Sequence, residues 1–337
     1  MRRAMRRLLL ATVLLLALAA APAGATLVYT KGWYSARPSV WTAQDDGSHA
    51  LRLGPGSDPH AAPNGQLVVY ERMTSAGVRR LYVRPTEAGP PRLLLRSTRG
   101  FGAWSPDSRT IAALAGPELG EQRLVLIDVT TAATRTLARG AFFGASFSPT
   151  GDRVVYARAP REAFPARTDL YVAPVAGGPP ARITHDRKSS DPAWGPRWIA
   201  YAHRRKARRR NDAPKLNLFL VRPSGAGAHQ LTHVRPGFLL SGLTPTDWSA
   251  DGRRLLAEFG GQDTSYAVAV NPVTGHVRRI SRFAEGIVGE ALSADGTSVL
   301  ATSGGPDNPR ANVVTIPYAG GRAHVLARRA TTPDWNR

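Results

Sequence analysis

Cysteine is absent from the 337 residues. That excludes a disulfide scaffold, a thiolate zinc site, a cysteine nucleophile and a lipid-anchored N-terminal cysteine. Lysine is scarce, with only Lys31, Lys188, Lys206 and Lys215, so arginine supplies nearly all of the 45 cationic side chains. Acidic residues number 24, which leaves a net charge of +21. A charge of this sign points to an anionic partner, although arginine-rich drift in composition gives the same total. No Gly-x-Ser-x-Gly, His-Glu-x-x-His, P-loop or Gly-x-Gly-x-x-Gly occurs, and no Asn-x-Ser/Thr acceptor site. No segment has a sustained helical period, and only one long apolar run is found, at the N-terminus.

That run extends from Leu8 to Ala21, behind Arg2, Arg3, Arg6 and Arg7 and ahead of Ala23-Gly24-Ala25. A basic stretch, an apolar stretch and a small-x-small site make an export signal. The run is short for a membrane span, although an uncleaved anchor is the other reading. Residues 1–25 are therefore expected to be a cleaved signal peptide, with residues 26–337 as a single mature domain of charge +17. The protein is expected to be periplasmic, envelope-associated or secreted, with no transmembrane helix after cleavage and no nucleic acid among its natural partners.

One phrase organises the rest. Trp104-Ser105-Pro106-Asp107, Phe147-Ser148-Pro149-Thr150-Gly151, Trp194-Gly195-Pro196, Trp248-Ser249-Ala250-Asp251-Gly252 and Leu292-Ser293-Ala294-Asp295-Gly296 are copies of it. Ala61-Ala62-Pro63-Asn64-Gly65 is a degenerate copy, and Trp335-Asn336-Arg337 a truncated one. The anchor positions 61, 104, 147, 194, 248, 292 and 335 are spaced 43, 43, 47, 54, 44 and 43 residues apart. Periods of this length mark repeat folds, and 40–45 is the propeller range. The local chemistry agrees. An apolar anchor ends one strand, Pro and Asp-Gly make a tight reversal, and a short apolar strand follows, as in Val154-Val155-Tyr156. Two more strands and a glycine turn complete each unit. Four antiparallel strands per unit make a propeller blade.

The chain ends complement each other. Residues 26–53 read as the second to fourth strands of a blade, and residues 332–337 as a first strand. The expected fold is therefore an all-β propeller of four-stranded antiparallel blades. Repeat count gives seven blades, with six as the alternative, and pairing of the terminal strands closes the ring. Trp104, Phe147, Trp194, Trp248, Leu292 and Trp335 are expected as structural anchors packed between blades.

The Trp-Ser-Pro-Asp-Gly phrase resembles the WD40-like (PD40) repeat of TolB-type β-propellers, over roughly residues 27–337. The resemblance implies a propeller and leaves the chemistry open, because the same family supplies non-enzymatic envelope proteins, peptidase propellers and polysaccharide lyases. TolB itself adds a separate N-terminal α/β domain, which this sequence lacks, and has six blades.

Blade topology assigns the loops between strands two and three, and those between blades, to one face. The long irregular loops fall there, with roughly two-thirds of the mature cations. The sharpest feature is the loop with Arg204, Arg205, Lys206, Arg208, Arg209 and Arg210, a docking arm for an anionic partner or simply a solvated loop. Trp33, beside Tyr34, is either an exposed contact residue or a cover for the rim of the closing blade. His185, His203 and His233, with Asp186 and Asp263 near in the chain pattern, are metal candidates without metal-ligand spacing, so no metal and no cofactor is expected. The Asp-Gly turns lack the dense acidic ligands of a calcium site and are expected to be turn formers. The leading reading is an exported, non-enzymatic scaffold, a monomer, that binds a protein or an anionic envelope polymer through its long-loop face. The alternative is a secreted propeller enzyme, a polysaccharide lyase or hydrolase, with its site at the mouth of the central channel.

Overall fold

The computed structural model describes residues 26–87, 89–116, 121–160, 167–205, 213–261, 265–281, 286–304 and 308–336. Among these the regular structure is all strand, and no helix is long and apolar enough to cross a membrane. The export segment, residues 1–25, lies outside the described residues.

The strands succeed one another as antiparallel meanders. β1 (Thr26–Lys31), β2 (Ser39–Gln44) and β3 (Leu51–Pro55) begin the chain. A complete unit follows in β4 (Ser57–Ala61), β5 (Leu67–Met73), β6 (Arg79–Pro85) and β7 (Arg92–Leu95). The next sheet runs through β8 (Thr98–Trp104), β9 (Thr110–Ala115), β10 (Gln122–Asp128), β11 (Thr134–Phe147), β12 (Arg153–Ala159), β13 (Asp169–Pro174) and β14 (Ala181–Arg182). It joins two meanders, because β11 is a continuous 14-residue strand that is outermost in one and innermost in the other. Then come β15 (Ser189–Trp194), β16 (Ile199–Arg205), β17 (Lys215–Val221) and β18 (His229–Gln230). β19 (Leu240–Trp248), β20 (Leu255–Gly261), β21 (Ser265–Val270) and β22 (Val277–Arg279) are joined to them by a single parallel pair, Leu216 with Gly242. The last full meander is β23 (Val288–Leu292), β24 (Ser298–Ser303), β25 (Asn312–Pro317) and β26 (His324–Ala327). β27 (Ala330–Trp335) then pairs antiparallel with β1, giving a sheet in the order β27-β1-β2-β3.

The core lies between meanders rather than within any one of them. Val69 and Leu81 pack on Ile111, Val125 and Ile127 of the following unit, and each later junction has its own cluster of this kind. Leu300 and Val313 of the last full unit pack on Leu27, Tyr29 and Trp335. Burying each such aliphatic side chain stabilises by about 1.5–3 kcal/mol, so no meander could hold its shape alone.

The anchor residues tie neighbouring first strands together. Trp248 Nε1 donates to the Ala193 carbonyl at 3.1 Å, Trp104 Nε1 to the His60 carbonyl at 3.2 Å and Trp335 Nε1 to the Leu292 carbonyl at 2.8 Å. Phe147, Trp194 and Leu292 are buried at the matching places. The aspartates of the tight turns are engaged locally. Ser249 Oγ donates to Asp251 Oδ1 and Ser293 Oγ to Asp295 Oδ1, each at 2.6 Å, while the same serines accept from the strand that follows. The serine hydrogen bond, with backbone help, holds the Asp295 carboxyl down to about 2.

Candidate functional site: the axial cavity

The first strand of every unit lines one cavity of about 630 Å³. Pro63, Pro106 and Pro149, from the tight turns after the first strands, line it together with Phe101, Gly144, Asp191 and Glu290 from the strands themselves. Each first strand shifts register against its neighbour two or three residues before its anchor, at Phe101/Ala103, Ser190/Ala193 and Gly289/Ala291 for example. A bulge of this kind re-aims side chains. At three equivalent places it falls on an X-Pro pair, Asp58-Pro59, Asp191-Pro192 and Thr332-Pro333. The residue before proline has φ of 52°, 50° and 45° respectively. That is the left-handed region, which costs an L-residue about 1–2 kcal/mol and which aspartate tolerates better than most.

Two axial carboxylates have structural duties. Asp247 accepts from the Trp248 and Leu292 amides at 2.8 and 2.7 Å, and Asp334 from the Trp335 and Ala61 amides at 2.9 and 3.1 Å. Each thereby binds one first strand to the next. Ser146 Oγ does the same for the Trp194 amide at 3.2 Å.

The remaining acids are not consumed in this way. His60 lies between Asp58 (Nε2 to Oδ2, 3.7 Å) and Asp334 (Nδ1 to Oδ2, 3.6 Å), with its ring stacked on Phe101 at 4.3 Å. Burial alone would lower its pKa, but hydrogen bonds and attraction to the two aspartates push it up to about 10, so it is an imidazolium at neutral pH. Burial works against Asp58 too, yet the hydrogen bond and charge of His60 hold its carboxyl below the usual range. Glu290 goes the other way. Burial, then the charges of Glu258 and Asp58, push it up to about 8, so it keeps its proton at pH 7. Thr302 Oγ1 donates to Glu290 Oε1 at 3.4 Å. Burial and Glu258 also raise Asp191. Glu71 is 4% exposed and is raised chiefly by burial and by Asp58; Oε2 is 3.6 Å from Arg79 Nη1, and Oε1 is buried without a hydrogen-bond partner.

The Glu290 shift fixes a sign. Between about pH 4.5 and 8 the folded chain holds a proton that the unfolded chain has released, so stability falls as pH rises through that window. Glu290→Gln removes this slope. The variant is expected to gain thermal midpoint relative to the parent steadily from pH 5 to 8, by several degrees at the upper end. Parallel curves for the two proteins would show that Glu290 ionises normally.

The long-loop face holds the residues that sequence reasoning singled out. Trp33 and Tyr34, in the β1–β2 loop, are 40% and 48% exposed. Arg204 and Arg205 end β16; Lys206, Arg208, Arg209 and Arg210 lie outside the described residues, as does Asp263. His203 Nε2 is 2.5 Å from Asp186 Oδ2, and its ring stacks on Phe219 at 4.3 Å. The attraction and hydrogen bond of His203 lower Asp186 in spite of burial. His185 and His233 are exposed, and no group of three metal-ligating side chains is found among the described residues. A second repeat is visible here. Cross-strand aromatic pairs Tyr29/Trp41, Tyr70/Tyr82 and Tyr156/Tyr171 each carry a cation two residues on. Lys31 sits 4.4 Å over Trp41, Arg72 4.8 Å over Tyr82 and Arg158 5.9 Å over Tyr171. The sequence signal was aromatic-x-cation at the end of the second strand.

Comparison of the sequence with known protein families and with curated proteins finds no match. Solved structures do match. The propeller domain of the Trilobed protease from Pyrococcus furiosus, described by an open velcro topology, aligns at TM-score 0.66 and 12% identity, over 90% of this chain and 92% of that one. TolB from Acinetobacter baumannii aligns at 0.54 and 15%, over 89% and 79%. An oligogalacturonate lyase in complex with manganese aligns at 0.60 and 14%, over 90% and 85%. At these identities the likeness shows the fold alone: the chain is a β-propeller.

Proposed function

We propose that the chain is an exported, non-enzymatic scaffold, a closed propeller of seven blades that binds an envelope protein or anionic polymer through its long-loop face. The pairing of β27 with β1 and the cluster shared by the last full unit and the first support closure. Arg2, Arg3, Arg6 and Arg7, the apolar run from Leu8 to Ala21 and the small residues at 23–25 support export.

One observation carries the binding reading. Of the exposed large hydrophobic residues among the described residues, Trp33, Tyr34, Met73, Val78 and Phe238 belong to the long-loop face, and Leu51, Val273 and Val325 do not. Exposed tryptophan, tyrosine and methionine beside arginine is the composition of an interface centre. Lys31, Arg72 and Arg79 flank these side chains in sequence, and the 204–210 run adds charge for an acidic partner. A preformed ring presents such loops with little ordering cost.

The test is capture of envelope components by the purified chain. Trp33→Ala with Tyr34→Ala is expected to reduce retention at least tenfold, the cost of a typical aromatic pair at an interface centre. Replacing the cations of 204–210 by serine is expected to remove most of the salt dependence. Leu51→Ala and Val273→Ala, off this face, serve as controls. Equal loss in all variants would exclude the face as the binding surface.

The enzyme reading keeps the axial cavity as its place. A protonated Glu290 near the charge of Glu258 is the one arrangement that favours it.

A further inference from the structure

The axial cavity has a chemical character opposite to that of the protein around it. The chain carries 45 lysines and arginines against 24 acids. Yet no lysine or arginine is among the residues lining the cavity, while Asp191, Asp247, Glu290 and Asp334 are. Random placement of side chains in so basic a chain would seldom leave a cavity with this many lining residues free of arginine. Phe101, Trp104, Trp194 and Trp248 are on the wall as well, and so is one cation, His60, held between Asp58 and Asp334.

We propose that this cavity binds an organic cation with N–H donors, a primary ammonium or guanidinium group. Three observations converge on that class. The carboxyls of Glu290 and Asp191 are not spent on backbone amides, as those of Asp247 and Asp334 are. Aromatic faces attract a cation that has left water. The acids are spread around a ring of strands rather than gathered in threes, which suits a ligand several ångströms across with several donors, not a metal ion. A volume of about 630 Å³ takes a small molecule or one long side chain.

Binding has a proton balance. Glu290 is protonated in the free protein, so a cation seated against it displaces that proton to solvent, leaving a carboxylate–ammonium pair. Affinity must then rise with pH until Glu290 is ionised on its own.

The experiment is calorimetric titration of the purified chain with agmatine, which carries both a guanidinium and an ammonium group. Mn²⁺ and an uncharged diol of similar length are the comparison probes. Agmatine is expected to bind at least about tenfold more tightly at pH 8.5 than at pH 6.5, with a proton released, detected as a buffer-dependent heat. Glu290→Gln should weaken it about tenfold or more and abolish the pH dependence. Asp191→Asn is the second variant should the first fold poorly, and is expected to weaken binding as well. Arg204→Ser with Arg205→Ser should bind as the parent does. No heat up to about 10 mM agmatine overturns the proposal. So does binding that is indifferent to both acid variants, or a preference for Mn²⁺ over agmatine.

Discussion

Removing residues 332–337 is expected to lower the thermal midpoint of the chain by more than about 10 °C, or to leave it unable to fold. The segment contributes the first strand of a sheet whose other strands, β1, β2 and β3, come from the opposite end of the chain. Its loss uncovers the cluster around Leu27, Tyr29 and Leu300 and removes Trp335, which is 6% exposed. A buried tryptophan alone is worth about 3–5 kcal/mol. Several polar groups lose partners as well. The Ala61 amide loses Asp334, the Thr30 hydroxyl loses that of Thr332 at 2.8 Å, and the Thr26 amide loses Asn336 Oδ1. Each such orphan costs about 1–3 kcal/mol where water cannot replace the partner. The sum exceeds about 5 kcal/mol, and in a domain of this size each kcal/mol moves the midpoint by about 2 °C. A second consequence is exposure of the β1 edge, a template for pairing between chains. The shortened protein is therefore expected to aggregate on heating. Circular dichroism melts of the two proteins check it, and a shortened chain melting within a few degrees of the parent would sink the shared-blade idea.

The repeat was legible because its turns are local chemistry. Ser, Pro, Asp and Gly at fixed offsets make a reversal whatever the rest of the chain does, and the Ser249–Asp251 and Ser293–Asp295 bonds form within two residues. The complement between chain ends was legible for the same reason, since a strand count per period needs no tertiary information. The axial acids were not. Asp58 and Asp191 stand three residues before their anchors, where other units hold Phe101, Gly144 or Pro245, and Glu290 stands two before, where others hold Gly102, Ala145 or Thr246. Their placement depends on bulges in different first strands, a property of how the units pack and not of any window of sequence. The one available sign was Asp-Pro recurring three residues before the anchor, at Asp58-Pro59 and Asp191-Pro192. Net charge pointed away from the site altogether. The histidines drew attention as a residue type, but His203 is engaged by Asp186, while His60, in the degenerate copy, is the one that reaches the cavity.

Gly275→Ala is expected to destabilise the chain by about 3 kcal/mol or more, a fall in midpoint of at least about 6 °C. Gly275 lies in the β21–β22 turn with φ +71°, and a Cβ there would stand 1.8 Å from the Leu231 carbonyl oxygen. The obstacle is backbone of the preceding unit, which cannot rotate away. The same construction recurs: a Cβ on Gly47 would meet the Leu326 carbonyl oxygen at 2.3 Å, and on Gly225 and Gly320 the carbonyls of Ile183 and Ile280 at 3.3 Å. In each case the turn between the third and fourth strands sits on the outer strand region of the unit before it, so these glycines set how closely adjacent units approach at the rim. Gly77 separates the two costs of the substitution. Its φ is +73°, yet nothing lies within 4 Å of its Cβ position. Gly77→Ala therefore carries only the conformational penalty, about 1–2 kcal/mol. The difference between the variants measures the inter-unit contact, and urea unfolding of both reads it directly. If the two lose equal stability, the rim contact is loose and the units are held together by their apolar faces and first strands alone.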